Sequence, residues 1–458
     1  MEKKLKDTFL WGNSVSSMQT EGAWDEGGKG KSVYDIREAG EHTSDWKVAT
    51  DSYHRYQEDF DYMQKLGMNC YRFQISWSRV FPNGDGEINE EGVAFYDKFI
   101  DDLLARGIEP MICLYHFDMP LHLSEKYNGF ASRYVVDAFV KFGKAMVDRF
   151  KQKVKYWITF NEQNIFGSKE GFRIAGCTTT GTEKELYQLQ HNTMIAHAEI
   201  ANYLHDTTEG CQIGGMVAYR AAYPASSEPK DVLAAKRADD FFNQFFLEVF
   251  TYGKYPAFML AYLENNHLMP VFDPNDAATL AQLKSDFLSF SYYSSSTISA
   301  ADITEETPIY LYPEVGGHPN SHLEATEWDW QIDPTGFRII LSNLFNRYHL
   351  PVFPIENGIG VMEELPKEGL IQDDYRIEYH RTHLQAMKDA ISLDGVDCIG
   401  YLGWGLIDIL SSQGDMRKRY GVVYVNRENH DLKDLNRLPK KSFSWLQQVI
   451  QSNGKQLD

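Results

Sequence analysis

The sequence contains few cysteines and no long apolar run. Its five cysteines in 458 residues are scattered and show no CxxC spacing. This pattern predicts free, buried thiols in a reducing compartment. No apolar stretch approaches the roughly 20 residues of a membrane-spanning helix, and the first residues (MEKKLKDTF) lack the apolar region of a secretory signal. We therefore expect a cytoplasmic protein.

Positive charge is also scarce. The chain has 45 Lys and Arg against 65 Asp and Glu, which gives a formal net charge of −20. The field of such a chain repels nucleic acids and anionic membranes, so neither is expected as a partner. An anionic substrate would need a local cationic site that overcomes this field. The oligomeric state is left open by the sequence.

What the sequence does contain is a regular alternation of strands and helices. Hydrophobic residues make up 43% and aromatic residues 14% of the chain, enough for one large packed core. No GxGxxG motif follows any strand, so the alternation favours an α/β fold of the (β/α)8 TIM-barrel type over a doubly wound sheet. We predict a single domain over residues 1–458. The first predicted strand begins at Phe9 and runs into a polar loop within residues 9–22. The other predicted strands are 70–77, 110–116, 156–160, 212–218, 287–293, 352–356 and 396–402, and the predicted helices are 51–66, 90–105, 134–150, 183–204, 234–250, 335–348 and 375–392.

Two of the predicted strands end at a glutamate. The aromatic segment 156–160 is followed by Asn161 and Glu162, and the segment 352–356 ends at Glu356. A carboxylate at the end of a buried strand is costly unless it has partners or a raised pKa, and catalysis is a good reason to tolerate that cost. Because the C-terminal ends of barrel strands surround one mouth, we expect both acids to face one pocket.

Further polar and aromatic residues fall at strand ends. Gln19 comes just after the first strand, His116 and Tyr293 lie on the third and sixth, and Trp404 is just past the eighth. Arg72 lies within the second strand and would point inward from below. Such a set suits a polyhydroxylated substrate. In glycoside hydrolysis one carboxyl protonates the leaving oxygen and another attacks or activates water. Taken singly, each glutamate could instead be a salt-bridged barrel residue.

Several longer motifs are specific in order and spacing. They are FLWGNSVSSMQTEGAW, DSYHRYQEDF, YRFQISWSRVFP, LYHFDMPLHL, TFNEQ, SYYSSS, IENGIG and GLIDILS followed by KRYGVVYV. With these motifs the sequence resembles glycoside hydrolase family 1, the retaining β-glucosidase family, over essentially its whole length. The resemblance implies that Glu162 is the general acid/base and that Glu356 is the nucleophile, which forms a glycosyl-enzyme intermediate without any cofactor.

The resemblance also implies supporting roles around the nucleophile. Arg72 and Tyr293 would contact Glu356, and the arginine would keep it ionised by its opposite charge. Asn161 would hold the sugar 2-hydroxyl, through a hydrogen bond that strengthens in the transition state.

The same resemblance places other residues around the sugar. Gln19 and His116 would bind further ring hydroxyls, Trp404 would stack under the sugar, and Trp330 would border the leaving group. The alternative for either tryptophan is ordinary core packing, and for His116 it is a hydrogen-bonded core histidine.

The main departure from the ordinary family pattern follows the eighth strand. Ordinary β-glucosidases carry a Glu-Trp pair there, and its Glu holds the O4 and O6 hydroxyls, but this chain has Ser411 and Ser412. A carboxylate would repel a phosphate at O6, whereas serine offers a donor without charge. Ser411, Lys418 and Tyr420 resemble the phosphate site of the 6-phospho-β-glucosidase branch. Alternatively, residues 417–419 are a solvated basic run.

The resemblance therefore implies hydrolysis of a 6-phospho-β-glucoside to glucose 6-phosphate and an aglycone. Phospho-galactosidases tend to keep Trp after the serine, and Ser412 lacks that platform. A 6-phospho-β-galactosidase, a dual-specificity phosphoglycosidase, an unphosphorylated β-glucosidase and a non-catalytic sugar-binding barrel remain as alternatives. Two smaller departures are Gln163, where most sugar-specific relatives have Pro, and Ser291, where they have Asn. The leaving group is not specified by any readable motif.

Metal binding has little support in the sequence. His380 and His383 are three residues apart on a predicted helix, but their acidic neighbours indicate surface charge, and this hydrolysis needs no Lewis acid. His191 and His197 lie on a predicted helix away from the mouth and are interpreted as structural. We expect no metal and no cofactor.

Overall fold

The computed structural model describes residues 5–367 and 369–458. Within them, eight strands form one sheet in which all neighbours are parallel and follow chain order. A parallel bridge between Val352 and Cys398 joins the last two strands, so the sheet curves round into the predicted (β/α)8 barrel. The strands are β1 (Leu10–Ser14), β2 (Cys70–Gln74), β3 (Glu109–Tyr115), β4 (Tyr156–Phe160), β5 (Gln212–Ala218), β6 (Phe287–Tyr292), β7 (Val352–Asn357) and β8 (Gly400–Trp404).

The interior of the barrel is a separate, small apolar core. Every barrel strand contributes to it, and strands that contribute twice do so at alternate positions, as the two-residue period of a strand requires. The opposite faces of the strands pack against the helices in a much larger core. The interior residues are Leu10, Cys70, Met111, Cys113, Tyr156, Ile158, Met216, Phe287, Phe353, Ile355 and Leu402.

Helices surround the sheet and several have clear end signals. Gly67 ends one helix with φ +82°, and Thr182 forms a capping box with Glu185 at the start of another. The helices of eight or more residues are Ser52–Leu66, Glu90–Ala105, Arg133–Phe150, Glu183–Thr207, Pro229–Asp239, Phe245–Tyr252, Ala257–Asn265, Pro334–Tyr348, Asp374–Ser392 and Lys441–Gln451.

The predicted boundaries differ from the structure in a few places. The second strand ends at Gln74, because Trp77–Val80 is a short helix. The eighth strand begins at Gly400, because the residues before it contribute only the bridge to Val352. The helix predicted over 234–250 instead starts at Pro229 and is interrupted by a wide turn, and the last helix was not predicted.

The cysteines and helices can be compared with the expectations from composition. All five cysteines are free, as predicted, but only Cys70, Cys113 and Cys398 are buried, and the prediction of burial is wrong for the partly exposed Cys177 and Cys211. None of the helices in the described ranges combines the length and apolarity needed to cross a membrane.

Candidate active site

A pocket of about 180 Å³ opens at the C-terminal ends of the barrel strands. Arg72 is fully buried and touches the pocket through Glu356 and Asn161. The predicted residues Ser411 and Lys418 do not line this pocket. The predicted site residues that the structure brings together around this pocket are Gln19, His116, Asn161, Glu162, Tyr293, Trp330, Glu356, Trp404 and Tyr420.

Glu356 is held in the pocket by two donors. Arg72 Nη1 donates to its Oε1, and the Tyr293 hydroxyl donates to its Oε2 at 2.9 Å. The register between β6 and β7 shifts between Pro354 and Glu356. Since Ile355 points into the barrel core, simple alternation would turn the next side chain outward, and this irregularity aims Glu356 at the pocket instead.

Glu162 follows β4 directly and has a strained backbone. Its φ is +42°, in the left-handed region that a non-glycine residue adopts at a cost of about 1 kcal/mol. Ser291 Oγ donates to Glu162 Oε1. Ser291 also pairs in register with Glu356 across β6 and β7. The serine that departs from the family pattern therefore lies between the two acids.

Glu356 and Glu162 have different hydrogen-bond partners, and these partners favour a different protonation state in each. Burial raises the pKa of Glu356 and of Glu162, and Arg72 opposes the rise at both. Both oxygens of Glu356 already accept hydrogen bonds, whereas the Ser291 hydroxyl beside Glu162 can accept as well as donate. Arg72 and Tyr293 therefore favour the charged form of Glu356, whereas the serine leaves Glu162 able to hold a proton. An acid beside an ionised nucleophile is what a two-carboxylate glycosidase needs.

His116 is a neutral residue with an unused ring nitrogen. Burial and the nearby Arg72 hold the pKa of His116 well below its usual range. Its Nδ1 is buried and has no hydrogen-bond partner among the described residues. Its ring lies 5.7 Å from that of Trp404, with 27° between the planes. A buried nitrogen without a partner beside a pocket can bind a sugar hydroxyl.

Gln19 and Asn161 are positioned by protein contacts and keep some capacity for hydrogen bonds. Gln19 Nε2 donates to the Leu410 carbonyl at 2.6 Å, and its Oε1 accepts from Ser16 Oγ at 2.5 Å. Asn161 Oδ1 accepts from Arg72 Nη2 at 2.7 Å. One amide hydrogen of Gln19 and the amide group of Asn161 therefore remain for a ligand.

The predicted phosphate-binding residues do not all face the pocket. Tyr420 lines the wall, but Ser411 is buried and its Oγ accepts from the backbone N–H groups of Asp415 at 3.0 Å and Gln413 at 3.4 Å. Ser411 thus shapes a turn. The serine that lines the pocket is its exposed neighbour, Ser412.

Lys418 lies over an aromatic ring that lines the pocket. Its Nζ is 3.5 Å from the ring centre of Trp330 and 5.1 Å from that of Trp328. Burial, opposed by the charge of Glu327 and assisted by that of Arg220, lowers the pKa of Lys418 to about 8. The alternative of a solvated basic run does not fit, because Lys418 and Arg419 are buried and pair with a second short strand.

Sequence reasoning missed Arg220, which lines the pocket two residues past the end of β5. Arg220 could have been found by the rule that located the two glutamates, because it is a charged residue just beyond the end of a predicted strand. The apolar wall residues Phe117 and Ile165 were also missed.

The acidic neighbours of His380 and His383 were interpreted as surface charge, but the two histidines themselves do not lie at the surface. Both are buried, because their face of the helix packs on the barrel: His380 Nδ1 contacts the Tyr401 hydroxyl at 2.9 Å, and His383 Nδ1 contacts the Tyr379 carbonyl at 2.7 Å. Burial lowers their pKa to about 3 and about 4. His191 and His197 are also buried. Over the described part of the chain, no group of three or more His, Cys, Asp or Glu is arranged to hold a metal.

A (β/α)8 barrel with two paired carboxyls in the pocket at its mouth has the architecture of a glycoside hydrolase. The sequence profile of glycosyl hydrolase family 1 matches residues 1–455. The chain belongs to this family and is a glycosidase.

Full-length relatives agree with this assignment. The chain is 41% identical to the aryl-phospho-β-D-glucosidase BglC of Bacillus subtilis, with 98% of each chain covered. It is 39% identical to a 6-phospho-β-glucosidase of Clostridium longisporum, again with 98% of each covered. Among solved structures, the family 1 β-glucosidase of Thermotoga maritima matches with a TM-score of 0.88 and 30% identity over 99% of each chain.

Proposed function

We propose that this protein hydrolyses 6-phospho-β-D-glucosides to glucose 6-phosphate and an aglycone, with retention of configuration. The observation that carries the proposal is a buried lysine, Lys418, over a pocket-lining tryptophan, in a chain that has two serines where ordinary β-glucosidases carry the Glu-Trp pair. The names of the relatives given above, which are phosphoglucosidases, support the same substrate class.

In the first step Glu356 attacks the anomeric carbon of the sugar. The bond from that carbon to the leaving oxygen breaks, and Glu162 gives its proton to the leaving oxygen. Arg72 and Tyr293 hold Glu356 in place and favour its ionised form before attack. The product of this step is a covalent glycosyl ester of Glu356 and a free aglycone.

In the second step water replaces the glutamate. Glu162, now ionised, takes a proton from the water as its oxygen attacks the anomeric carbon, and the ester bond to Glu356 breaks. Two inversions leave the original configuration. Ser291 serves Glu162 in both steps, since its hydroxyl can donate to the carboxylate and accept from the acid.

The remaining wall residues bind the sugar. Asn161 holds the 2-hydroxyl beside the nucleophile, Gln19 and His116 bind other ring hydroxyls, and Trp404 stacks under the ring. Trp330 borders the leaving group.

The phosphate is bound where the segment after β8 meets the pocket. Ser412 and Tyr420 offer hydroxyl donors, and Lys418 supplies the cation. Ser411, which the sequence places in this site, acts by holding the turn that presents Ser412.

The proposed enzyme is one catalytic domain that works in the cytoplasm, where phosphorylated sugars are retained by their charge. The family profile spans nearly the whole chain, which supports one domain. No nucleic acid or membrane partner is part of the proposal.

The test compares 4-nitrophenyl β-glucoside with its 6-phosphate. We expect kcat/KM to be far higher for the phosphorylated compound. Lys418→Ala should raise KM for the 6-phosphate with little effect on the plain glucoside, while Lys455→Ala, at an exposed position, should change neither. Equal or greater activity of the wild type on the plain glucoside rejects the phosphate assignment.

A second candidate is 6-phospho-β-galactoside hydrolysis. The position after Ser411 is Ser412, which offers no aromatic platform near O4, and this favours the glucoside. The preference is tested by comparing kcat/KM for 4-nitrophenyl 6-phospho-β-galactoside with that for the corresponding glucoside. A higher kcat/KM for the galactoside would reverse the assignment.

A further inference from the structure

The backbone that carries Arg220 is held in place at the pocket by two asparagine side chains. Asn164 Oδ1 accepts from the Ala218 N–H at 2.7 Å, and Asn164 Nδ2 donates to the Ala218 carbonyl at 2.9 Å. Asn243 Nδ2 donates to the Arg220 carbonyl at 3.4 Å. Because Asn164 is only two residues past Glu162, these contacts fix the backbone of Arg220 relative to the acid.

The guanidinium of Arg220 has no hydrogen-bond or ion-pair partner among the described residues. Arg220 is exposed and lines the pocket. The other arginine at the site, Arg72, is fully engaged with Glu356 and Asn161. In a chain with a net charge of −20, a guanidinium at a pocket without a carboxylate partner is free for a ligand.

Arg220 lies on the side of the leaving group. It follows β5, next to the turn after β4 that carries Glu162, and the proton of Glu162 goes to the leaving oxygen. Apart from Asn161, which would bind the 2-hydroxyl beside the nucleophile, the proposed sugar contacts come from β1, β3 and β8, through Gln19, His116 and Trp404. Arg220 and Glu162 line the same pocket, and the positive charge of Arg220 opposes the rise that burial causes in the pKa of Glu162.

We propose that Arg220 binds an oxyanion on the leaving group, of the aryl carboxylate class. The enzyme then favours substrates with two anionic groups, one on the sugar and one on the aglycone. A planar guanidinium matches a carboxylate with two parallel hydrogen bonds, and the neighbouring Ile165 and Tyr219 supply apolar contact for an aromatic ring. This inference rests on the proposed function, which supplies the phosphorylated sugar.

The experiment uses two substrates, 4-nitrophenyl and 3-carboxy-4-nitrophenyl 6-phospho-β-glucoside, with the wild type, Arg220→Gln and Arg220→Lys. The ratio of kcat/KM for the two substrates is compared between proteins, so that their intrinsic reactivities cancel. We expect Arg220→Gln to lower kcat/KM for the carboxylated substrate about fivefold to tenfold, mainly through KM, and to leave the other within twofold. Arg220→Lys should keep part of the preference.

Two results would overturn the proposal. Either an equal loss on both substrates or an unchanged ratio in Arg220→Gln removes the leaving-group role. The inhibition constant of glucose 6-phosphate should not change in Arg220→Gln, and a clear rise would assign Arg220 to the sugar phosphate instead.

The proposed function can fail separately. If the wild type hydrolyses plain glucosides at least as well as 6-phosphoglucosides, the same ratio is measured with the two unphosphorylated aryl glucosides. A loss of carboxylate preference in Arg220→Gln on that pair would still support the leaving-group site.

Discussion

At the scale of single residues, hydrogen-bond partners make two glutamates of equal chemistry different. Glu356 has a guanidinium on one oxygen and a phenol on the other, whereas Glu162 has one serine. Burial raises the pKa of both. The division into nucleophile and acid therefore depends on which carboxyl has the donors that favour its charge.

Replacing the nucleophile tests this division. Glu356→Gln removes the attacking oxygen but keeps the side-chain volume, so we expect kcat to fall roughly 10⁴-fold or more without unfolding. Turnover of the 6-phosphoglucoside and circular dichroism measure the two effects. Glu109→Gln, at the opposite end of β3 from the pocket, is the matched control and should stay active. Retained activity in Glu356→Gln would contradict the assignment.

Lys418 predicts a pH dependence for phosphate binding. Its pKa is lowered to about 8, so it is a cation below that pH and loses its charge above it. The inhibition constant of glucose 6-phosphate should therefore stay constant from pH 6.5 to 7.5. By pH 9 it should rise about fivefold to tenfold, because binding weakens as Lys418 loses its charge. In Lys418→Arg the charge persists, and the rise should disappear. The same rise in both proteins would exclude Lys418 as its cause.

At the scale of elements, one helix holds the loops that form the phosphate wall. Arg376, on helix Asp374–Ser392, donates to the carbonyls of Ile359 at 2.7 Å, Tyr420 at 2.8 Å and Arg419 at 3.2 Å. It also pairs with buried Glu363 at 2.8 Å. The segment after the nucleophile and the segment carrying Lys418 are thus fixed by one fully buried side chain.

Removing Arg376 should loosen both loops. Arg376→Met leaves buried carboxylates without this partner, and we expect the free energy of unfolding to fall by about 3–5 kcal/mol, with weaker binding of glucose 6-phosphate. Urea denaturation and inhibition assays measure these effects. Arg338→Met, on a neighbouring helix, breaks a partly exposed pair with Asp394 and should cost about 1 kcal/mol or less. Equal losses in the two variants would contradict the role of burial.

At the scale of the whole molecule, an acidic protein has to admit a dianion. The net charge of −20 repels the phosphorylated substrate at long range, while Lys418 attracts its phosphate locally. Salt screens the first effect more than the second, because interactions between partly buried charges are screened less.

This balance predicts an unusual response to salt. Between about 20 mM and 200 mM NaCl, kcat/KM for the 6-phosphoglucoside should rise about twofold, because the long-range repulsion is screened. A neutral aryl β-glucoside, measured under the same conditions, should show no change. A fall with salt would mean that the local cations govern the approach of the substrate.

Much of the architecture could be predicted because its signals are local. Apolar strands and amphipathic helices alternate along the chain, and parallel strands in such an order close into a barrel. The same local reasoning located Glu162 and Glu356, since each directly follows or ends an apolar strand. The boundaries were less certain where a strand continues as a single bridge or a helix widens.

The sequence by itself therefore determined the barrel, the family pattern and the pair of acids, because strand periodicity and the ends of strands are properties of short segments. Only the tertiary structure decided that Ser412 and not Ser411 faces the pocket, that Lys418 lies over Trp330, and that Arg220 is unpaired. Each of these depends on which loops from distant parts of the chain pack together, and no short segment encodes that contact.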